Sequence, residues 1–299
     1  MFLGERIERA ESFRMNVHSS DLARVENCFV GPAQAPPSGY EPSYQIVLPY
    51  YGLFSYSAGT RNWLLDATRT LCISPGWEFY EDKLVPSVGH AALLINPSPD
   101  LMEEICGSRI SETNPAFLQA SIPSTRSLQF LTHMLLRQPQ GLDDSLRKDE
   151  LVVSALDQLQ PPRAARARAS KVIDRAKEAL HAHSGERLSL QQMAKLVSVS
   201  PVYLTQEFTR SEGMPLYQYQ LRLRLSRALL KLPYSNNITE LALDLGFSSH
   251  SHFTSVFRKA FGVTPSQYRS GQPALERRPR AFETQMNWDD SVAKRKRAA

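Results

Sequence analysis

The sequence predicts an α+β protein in three parts. A small N-terminal β-barrel or jelly roll comes first, a pair of helices follows, and an all-α C-terminal domain carries two helix-turn-helix units. Three observations predict this. Residues 40–97 are short runs of Val, Ile, Tyr, Phe and Trp cut by Gly, Pro and Asn, as close-spaced strands are. Residues 127–160 change to a period near 3.6. Residues 188–269 contain one helical pattern twice. In that repeat Ala194 matches Ala242 at an offset of 48, and Leu204, Phe208, Gly213 and Tyr219 match Phe253, Phe257, Gly262 and Tyr268 at 49. Two copies are too few for a solenoid, so a duplicated two-helix module is the reading.

Charge divides the chain in the same place. Residues 1–162 hold 12 Lys/Arg against 19 Asp/Glu, and residues 163–299 hold 23 against 11, which together give the net +5. A basic half joined to an acidic half is the footprint of a nucleic-acid module attached to something else. The 42% hydrophobic content supports real cores, and no run approaches a membrane span. The N-terminus MFLGERIERAESFR is charged early, so no secretion signal is expected. Cys28, Cys72 and Cys106 are too far apart for a disulfide framework or a zinc site and suit a reducing cytoplasm.

Residues 1–125 form the expected β-rich domain. Its aromatics Tyr50, Trp63, Trp77, Phe79 and Tyr80, with Arg61 and His90, are the candidate lining of an apolar effector pocket; ordinary core and rim packing is the competing role for each. Its histidines, His18, His90 and His133, form no His-x-His pair, so no metal and no cofactor is expected. No nucleophile elbow, P-loop or dinucleotide fingerprint occurs, so no enzyme is expected. The pairs His181/His183 and His250/His252 lie 200° apart on a helix and do not share a metal easily.

Residues 126–160 read as a helical pair that packs on the β domain or forms a dimer seam, with Leu128, Leu131 and Leu135, then Leu151, Ala155 and Leu159, on repeating faces. Residues 161–169, PPRAARARA, open on a proline pair that breaks the preceding helix and read as a linker. Residues 170–271 form the expected DNA-binding domain, with helix-turn-helix units at 190–212 and 238–261. In the second unit Gly246 suits a turn that needs positive φ, whereas the first has Ser198 there. Ser200-Pro201 and Ser248 or Ser249 start the second helices, and Gly213 and Gly262 end them. Opposite the apolar faces lie Val202, Gln206 and Thr209, then Ser251, Ser255 and Arg258. A helix with a short, mostly uncharged face fits the major groove. Residues 272–299 are polar, Pro-broken and basic, and read as a disordered tail.

This C-terminal segment resembles the DNA-binding domain of the AraC/XylS family of bacterial transcription regulators. The resemblance rests on Met193-Ala194, Tyr203-Leu204, Phe208, Gly213, Arg224-Leu225, Leu241-Ala242, Gly246-Phe247, Phe257-Arg258-Lys259, Phe261-Gly262, Thr264-Pro265 and Tyr268-Arg269. It departs at Ser198, where a glycine is usual, and in the two histidines that open the second recognition helix. The resemblance implies two readers joined by a stiff helix at 216–232, with base contacts from Val202, Thr205 and Gln206 and from His250, Ser251 and Ser255. Phosphate contacts are expected from Arg210, Arg222, Arg224, Arg258 and Lys259, with bracing of the linker helix as the alternative for Arg224. It further implies a cupin-like sensor in the β half, a homodimer, promoter DNA and RNA polymerase as partners, a small-molecule effector, and activation rather than repression. The competing reading is a ligand-binding or catalytic β-barrel that the basic domain merely localises to DNA.

Overall fold

The computed structural model of the protein describes residues 12–85, 88–106, 110–111, 114–115, 120–137, 145–159, 170–183, 185–186 and 188–271. The expected linker at 161–169 and tail at 272–299 lie outside the described residues.

Twelve strands lie among the described residues: β1 (Phe13–Ser19), β2 (Ala23–Val30), β3 (Ser38–Glu41), β4 (Gln45–Tyr51), β5 (Phe54–Ala58), β6 (Arg61–Leu65), β7 (Arg69–Ile73), β8 (Trp77–Lys83), β9 (His90–Pro97), β10 (Ile110–Ser111), β11 (Asn114–Pro115) and β12 (Ala120–Pro123). They form an antiparallel sheet ordered β1-β2-β9-β4-β7-β12, a second ordered β3-β8-β5-β6, and a two-stranded ladder of β10 and β11. Of the expected β-barrel or jelly roll, the closed barrel does not form among the described residues. Among the described residues no ladder joins the two large sheets, which instead share an apolar interior of Val47, Leu71, Ile73 and Leu94 against Phe54, Tyr56 and Leu65. The β signal begins earlier than residue 40. β1 and β2 escape the apolar-run criterion because Arg14, Asn16 and His18, then Arg24 and Glu26, alternate with their apolar residues.

The helices are α1 (Pro99–Cys106), α2 (Arg126–Arg137), α3 (Ser145–Asp157), α4 (Lys171–Ala182), α5 (Leu190–Leu196), α6 (Pro201–Glu212), α7 (Leu216–Lys231), α8 (Ile238–Asp244), α9 (His250–Phe261) and α10 (Pro265–Arg269). A 3₁₀ turn at Leu232–Tyr234 follows α7, where Pro233 cannot continue it. The start of α1 is set locally: the Ser98 hydroxyl accepts from the Leu101 amide at 3.2 Å, immediately before Pro99.

The six-stranded sheet is apolar on both faces. One faces the smaller sheet. The other, with Val25, Ile46, Leu48, Leu93 and Ile95, is covered by Leu128 and Leu135 of α2 and by Leu151, Val152 and Leu156 of α3. The helical pair therefore spends its apolar face within the chain, where each large side chain gains roughly 1.5–3 kcal/mol. A dimer seam through those same faces is excluded, and on α3 only Leu146 and Val153 remain as exposed large apolar residues.

The C-terminal helices rest on the same side through polar contacts. Asp66, in the turn between β6 and β7, is 1% exposed. It accepts from the Thr68 amide at 2.8 Å, the Thr68 hydroxyl at 2.7 Å, His181 Nε2 at 3.1 Å and the Tyr219 hydroxyl. Burial pushes its carboxyl up, but His181, Lys177 and the Tyr219 hydroxyl outweigh that and hold it well below the usual range. Burial, with Arg227 and Lys177 nearby, holds the His181 imidazole low and neutral, so Nε2–H donates. Beside this contact Glu212 takes Lys177 at 2.8 Å and Arg69 at 3.1 Å. α2 reaches the other end of the helical domain, where Phe130 stacks on Phe261 and Arg137 lies over the Tyr268 ring while donating to its carbonyl.

Candidate nucleic-acid interface

Two helix pairs, α5–α6 and α8–α9, are built alike because the same local chemistry occurs twice. Ser189 starts α5 with a capping box to Gln192, and Asn237 caps α8 by accepting from Thr239 and Glu240. The turn that follows each helix needs one left-handed residue. Gly246 fills it at φ 82°, and Ser198 fills the matching place at φ 58°, the one non-glycine with positive φ among the described residues. The two residues are equivalent in conformation despite their different chemistry. A side chain at Gly246 would also meet the Arg224 guanidinium at 3.0 Å.

Ser200 caps α6 through the Tyr203 amide with Pro201 at the first position, and Ser249, rather than Ser248, caps α9 through the His252 amide. The Ser248 hydroxyl instead pairs with His252 Nδ1 at 2.9 Å. Gly213 and Gly262 end the two helices at φ 68° and 77°. Leu204 and Phe208, then Phe253 and Phe257, are fully buried, which fixes the opposite faces outward.

Val202 (67% exposed), Thr205, Gln206 and Thr209 are all exposed on α6. The hydroxyls of Thr205 and Thr209 donate back to the carbonyls of Pro201 and Thr205, which leaves them free to act as acceptors. Tyr203, 48% exposed beside Val202, belongs to the same surface and was not among the expected readers. On α9, His250, Ser251 and Ser255 are exposed. With Thr254, Arg258, Lys259 and Thr264 they border an open recess of about 710 Å³.

The expected phosphate set divides. Arg258 and Lys259 are exposed in the last turn of α9. Arg210 is exposed but bound at 2.6 and 2.9 Å to Glu207, so it must exchange partners to reach a phosphate. Two of the expected residues are engaged within the chain. Arg222 donates to the Ser124 carbonyl at 3.2 Å, and burial lowers its pKa. Arg224 is 9% exposed, lies against Gly246 and reaches the Glu186 carbonyl, so it braces α7. The linker helix is packed on both sides, and its inward arginines serve packing.

The seven expected pocket residues do not line one cavity. Tyr50 faces the helices, donating from its hydroxyl to Asn27 at 2.7 Å, whereas Trp63 and Phe79 pack into the space between the sheets. His90 is buried, stacked on Phe54 at 4.2 Å and paired with Glu81 at 2.9 Å. Trp77, over Gly59, and Arg61 sit at the rim. Tyr80, 51% exposed, alternates with inward Phe79 and Glu81 and points outward. A period of two separates Tyr80 from Phe79, but the facing of Tyr50 depends on which sheet face the helices cover.

A helix-turn-helix domain family matches residues 193–271. A Staphylococcus aureus protein described as an uncharacterised HTH-type transcriptional regulator is 37% identical over 97 residues, 32% of this chain and 13% of that protein. The Msm operon regulatory protein of Streptococcus mutans is 30% identical over 99 residues, 32% of this chain and 35% of that protein. The chain thus spans a minor part of these curated relatives' length. A crystal structure of a Chromobacterium violaceum transcriptional regulator, described by its AraC-type DNA-binding domain, is 34% identical. The match covers 34% of this chain and 94% of that one, with a TM-score of 0.32. The duplicated caps, turns and stops thus lie in the segment that the helix-turn-helix domain family matches, and the chain carries a domain of that family over residues 193–271.

Proposed function

We propose that the protein is a sequence-specific transcription regulator that binds promoter DNA through two helix-turn-helix units, 190–212 and 238–261, with α6 and α9 as the readers. The observation that carries this is the pair of serine-capped helices whose outward faces, Val202 to Thr209 and His250 to Ser255, are exposed and nearly uncharged, with Arg258 and Lys259 at the end of the second. Gln206 is suited to bidentate pairing with adenine, and Val202 to a thymine methyl. The serines of α9 carry less base information, which leaves shape readout a share there. Arg258, Lys259 and, after leaving Glu207, Arg210 hold phosphates.

The domain map is a β domain over 1–125, a helical segment over 126–160, a linker over 161–169, the DNA-binding domain over 170–271 and a basic tail. In this reading the β domain senses a small molecule, and the polar contacts of Asp66 and Glu212 carry its state to α4, α6 and α7. The protein works in the cytoplasm as a homodimer and an activator that meets RNA polymerase. The outer side of α3, with Leu146 and Val153, is the available dimer surface.

Selection of genomic fragments by the purified full-length protein at physiological salt, followed by sequencing, tests this. The expected result is a few enriched sites with paired half-motifs about one helical turn apart. Retention that is blind to sequence and vanishes with salt would overturn it.

A further inference from the structure

The space between the two sheets is polar at one end. Strand alternation and register turn Glu41 of β3, Tyr56 of β5, Phe79 and Glu81 of β8, and Cys28 and His90 of the facing sheet into it. Three of these are more than nine-tenths buried yet keep a polar atom without a hydrogen-bond partner: Glu41 Oε2 (7% exposed), the Tyr56 hydroxyl (1%) and His90 Nδ1 (3%). A buried acceptor or hydroxyl left this way costs free energy, and three together call for an occupant.

The charges around them identify its sign. Glu26 is satisfied by Arg14 and Arg24, each at 2.7 Å, and Glu81 by His90. Lys83, the nearest lysine along β8, is turned away, its ammonium held by the carbonyls of Gly31, Pro32 and Gln34. Of these three glutamates Glu41 alone has neither an ion pair nor a histidine partner among the described residues; it keeps a side-chain hydrogen bond with Gln45, and burial pushes its carboxyl up to about 6. Tyr56 stands opposite Glu81 in register, on the sheet face that also carries Glu41. Hydrogen-bond chemistry then sets the occupant's shape. In a neutral His90 ring, Nε2–H donating to Glu81 leaves Nδ1 as an acceptor. A carboxylate oxygen, a phenol oxygen and an imidazole nitrogen make three acceptors, and a primary ammonium has three donors. Glu41 is paired in register with Trp77, which lies over Gly59 at the rim, so a substituent leaving the site passes an aromatic face.

We propose that this end of the interior binds the primary ammonium group of a small amine with an apolar or aryl substituent, Glu41 being its counter-ion and Tyr56 and His90 the other acceptors. The proposal deepens, and rests on, the reading of the β domain as a sensor.

Calorimetry on the full-length protein at pH 8 tests it with butylamine and phenethylamine, against 1-butanol, 2-phenylethanol and the N,N,N-trimethyl analogues. Both primary amines are expected to bind, and the alcohols and quaternary ions, lacking the charge or the N–H groups, to bind at least about tenfold more weakly. Glu41→Gln is expected to lose the amine by a similar factor while melting no lower than the parent, because it removes a buried unpaired charge. Tyr56→Phe supplies a second variant that keeps the ring. Amines that bind no better than the alcohols, or binding unchanged in both variants, would overturn the site. A second arm measures affinity for a selected DNA fragment with and without phenethylamine. Amine binding that leaves DNA affinity unchanged would retain the site and refute the sensor reading on which it rests.

Discussion

Replacing Asp66 with Ala should separate the β domain from the helices that present the readers. Asp66 accepts four hydrogen bonds, two from Thr68 in its own turn and two, from His181 and Tyr219, across the boundary. The Thr68 bonds are local and recover water when the turn relaxes. The other two leave buried donors facing a void, at about 1–3 kcal/mol each. Taking about 3 kcal/mol for the closed arrangement, with 1.4 kcal/mol per tenfold, the closed-to-open ratio falls more than about a hundredfold. Hydrogen exchange reads this directly: amides of α4 and the first half of α7, next to His181 and Tyr219, should lose protection while the β9 amides keep theirs. Asp66→Asn, whose amide oxygen still accepts from Thr68, should fall between the two. Unchanged protection of α4 and α7 in Asp66→Ala would refute the idea that this carboxylate holds the domains together, and uniform loss would mean that it stabilises the whole fold instead.

Gln206→Ala is expected to relax preference at one base pair by roughly 1–3 kcal/mol, whereas Arg258→Ala should weaken binding to all sequences and reduce the salt slope by about one; competition binding across a salt series separates the two. Ser198→Gly should gain up to about 1 kcal/mol, because relief of the left-handed strain exceeds glycine's entropy cost, and Gly246→Ala should lose about 1–2 kcal/mol or more, since its methyl also meets Arg224; urea midpoints check both. Burial holds the His133 imidazole down at about 3, with the Arg137 charge adding to it. Its folded pKa is below the unfolded value, so its contribution is intact above about pH 6.5 and is lost as pH falls towards 3, at up to about 1.4 kcal/mol per pH unit. His133→Leu should flatten the stability curve between pH 6 and 4, and an unchanged slope would show that His133 does not carry that acid sensitivity.

The sequence by itself determined the features that are settled within one or two turns of chain. A serine before a proline starts a helix, a glycine ends one, and Leu204 with Phe208 sets which side of α6 is inside, because capping and the 3.6 period act over a few residues. The duplicated pattern and the charge asymmetry were legible for the same reason, and they pointed to the helix-turn-helix domain matched at residues 193–271. Even Ser198 was located at the right point of its turn, although nothing local announced that a serine would accept a left-handed conformation there.

Tertiary structure alone decided what depends on which surfaces meet. Arg222 and Arg258 are both arginines on helical domains, and only the packing of α7 against Ser124 makes the first a brace and leaves the second exposed. Asp66 reads as turn punctuation until a chain segment 115 residues away brings His181 to it, and Tyr50 reads as a pocket aromatic until the helices cover its side of the sheet. Glu41 looks like an ordinary surface glutamate. What makes it a candidate counter-ion is that β3 closes over the facing sheet while Arg14, His90 and Lys83 are committed elsewhere, and desolvation of that kind is a property of neighbours distant in sequence.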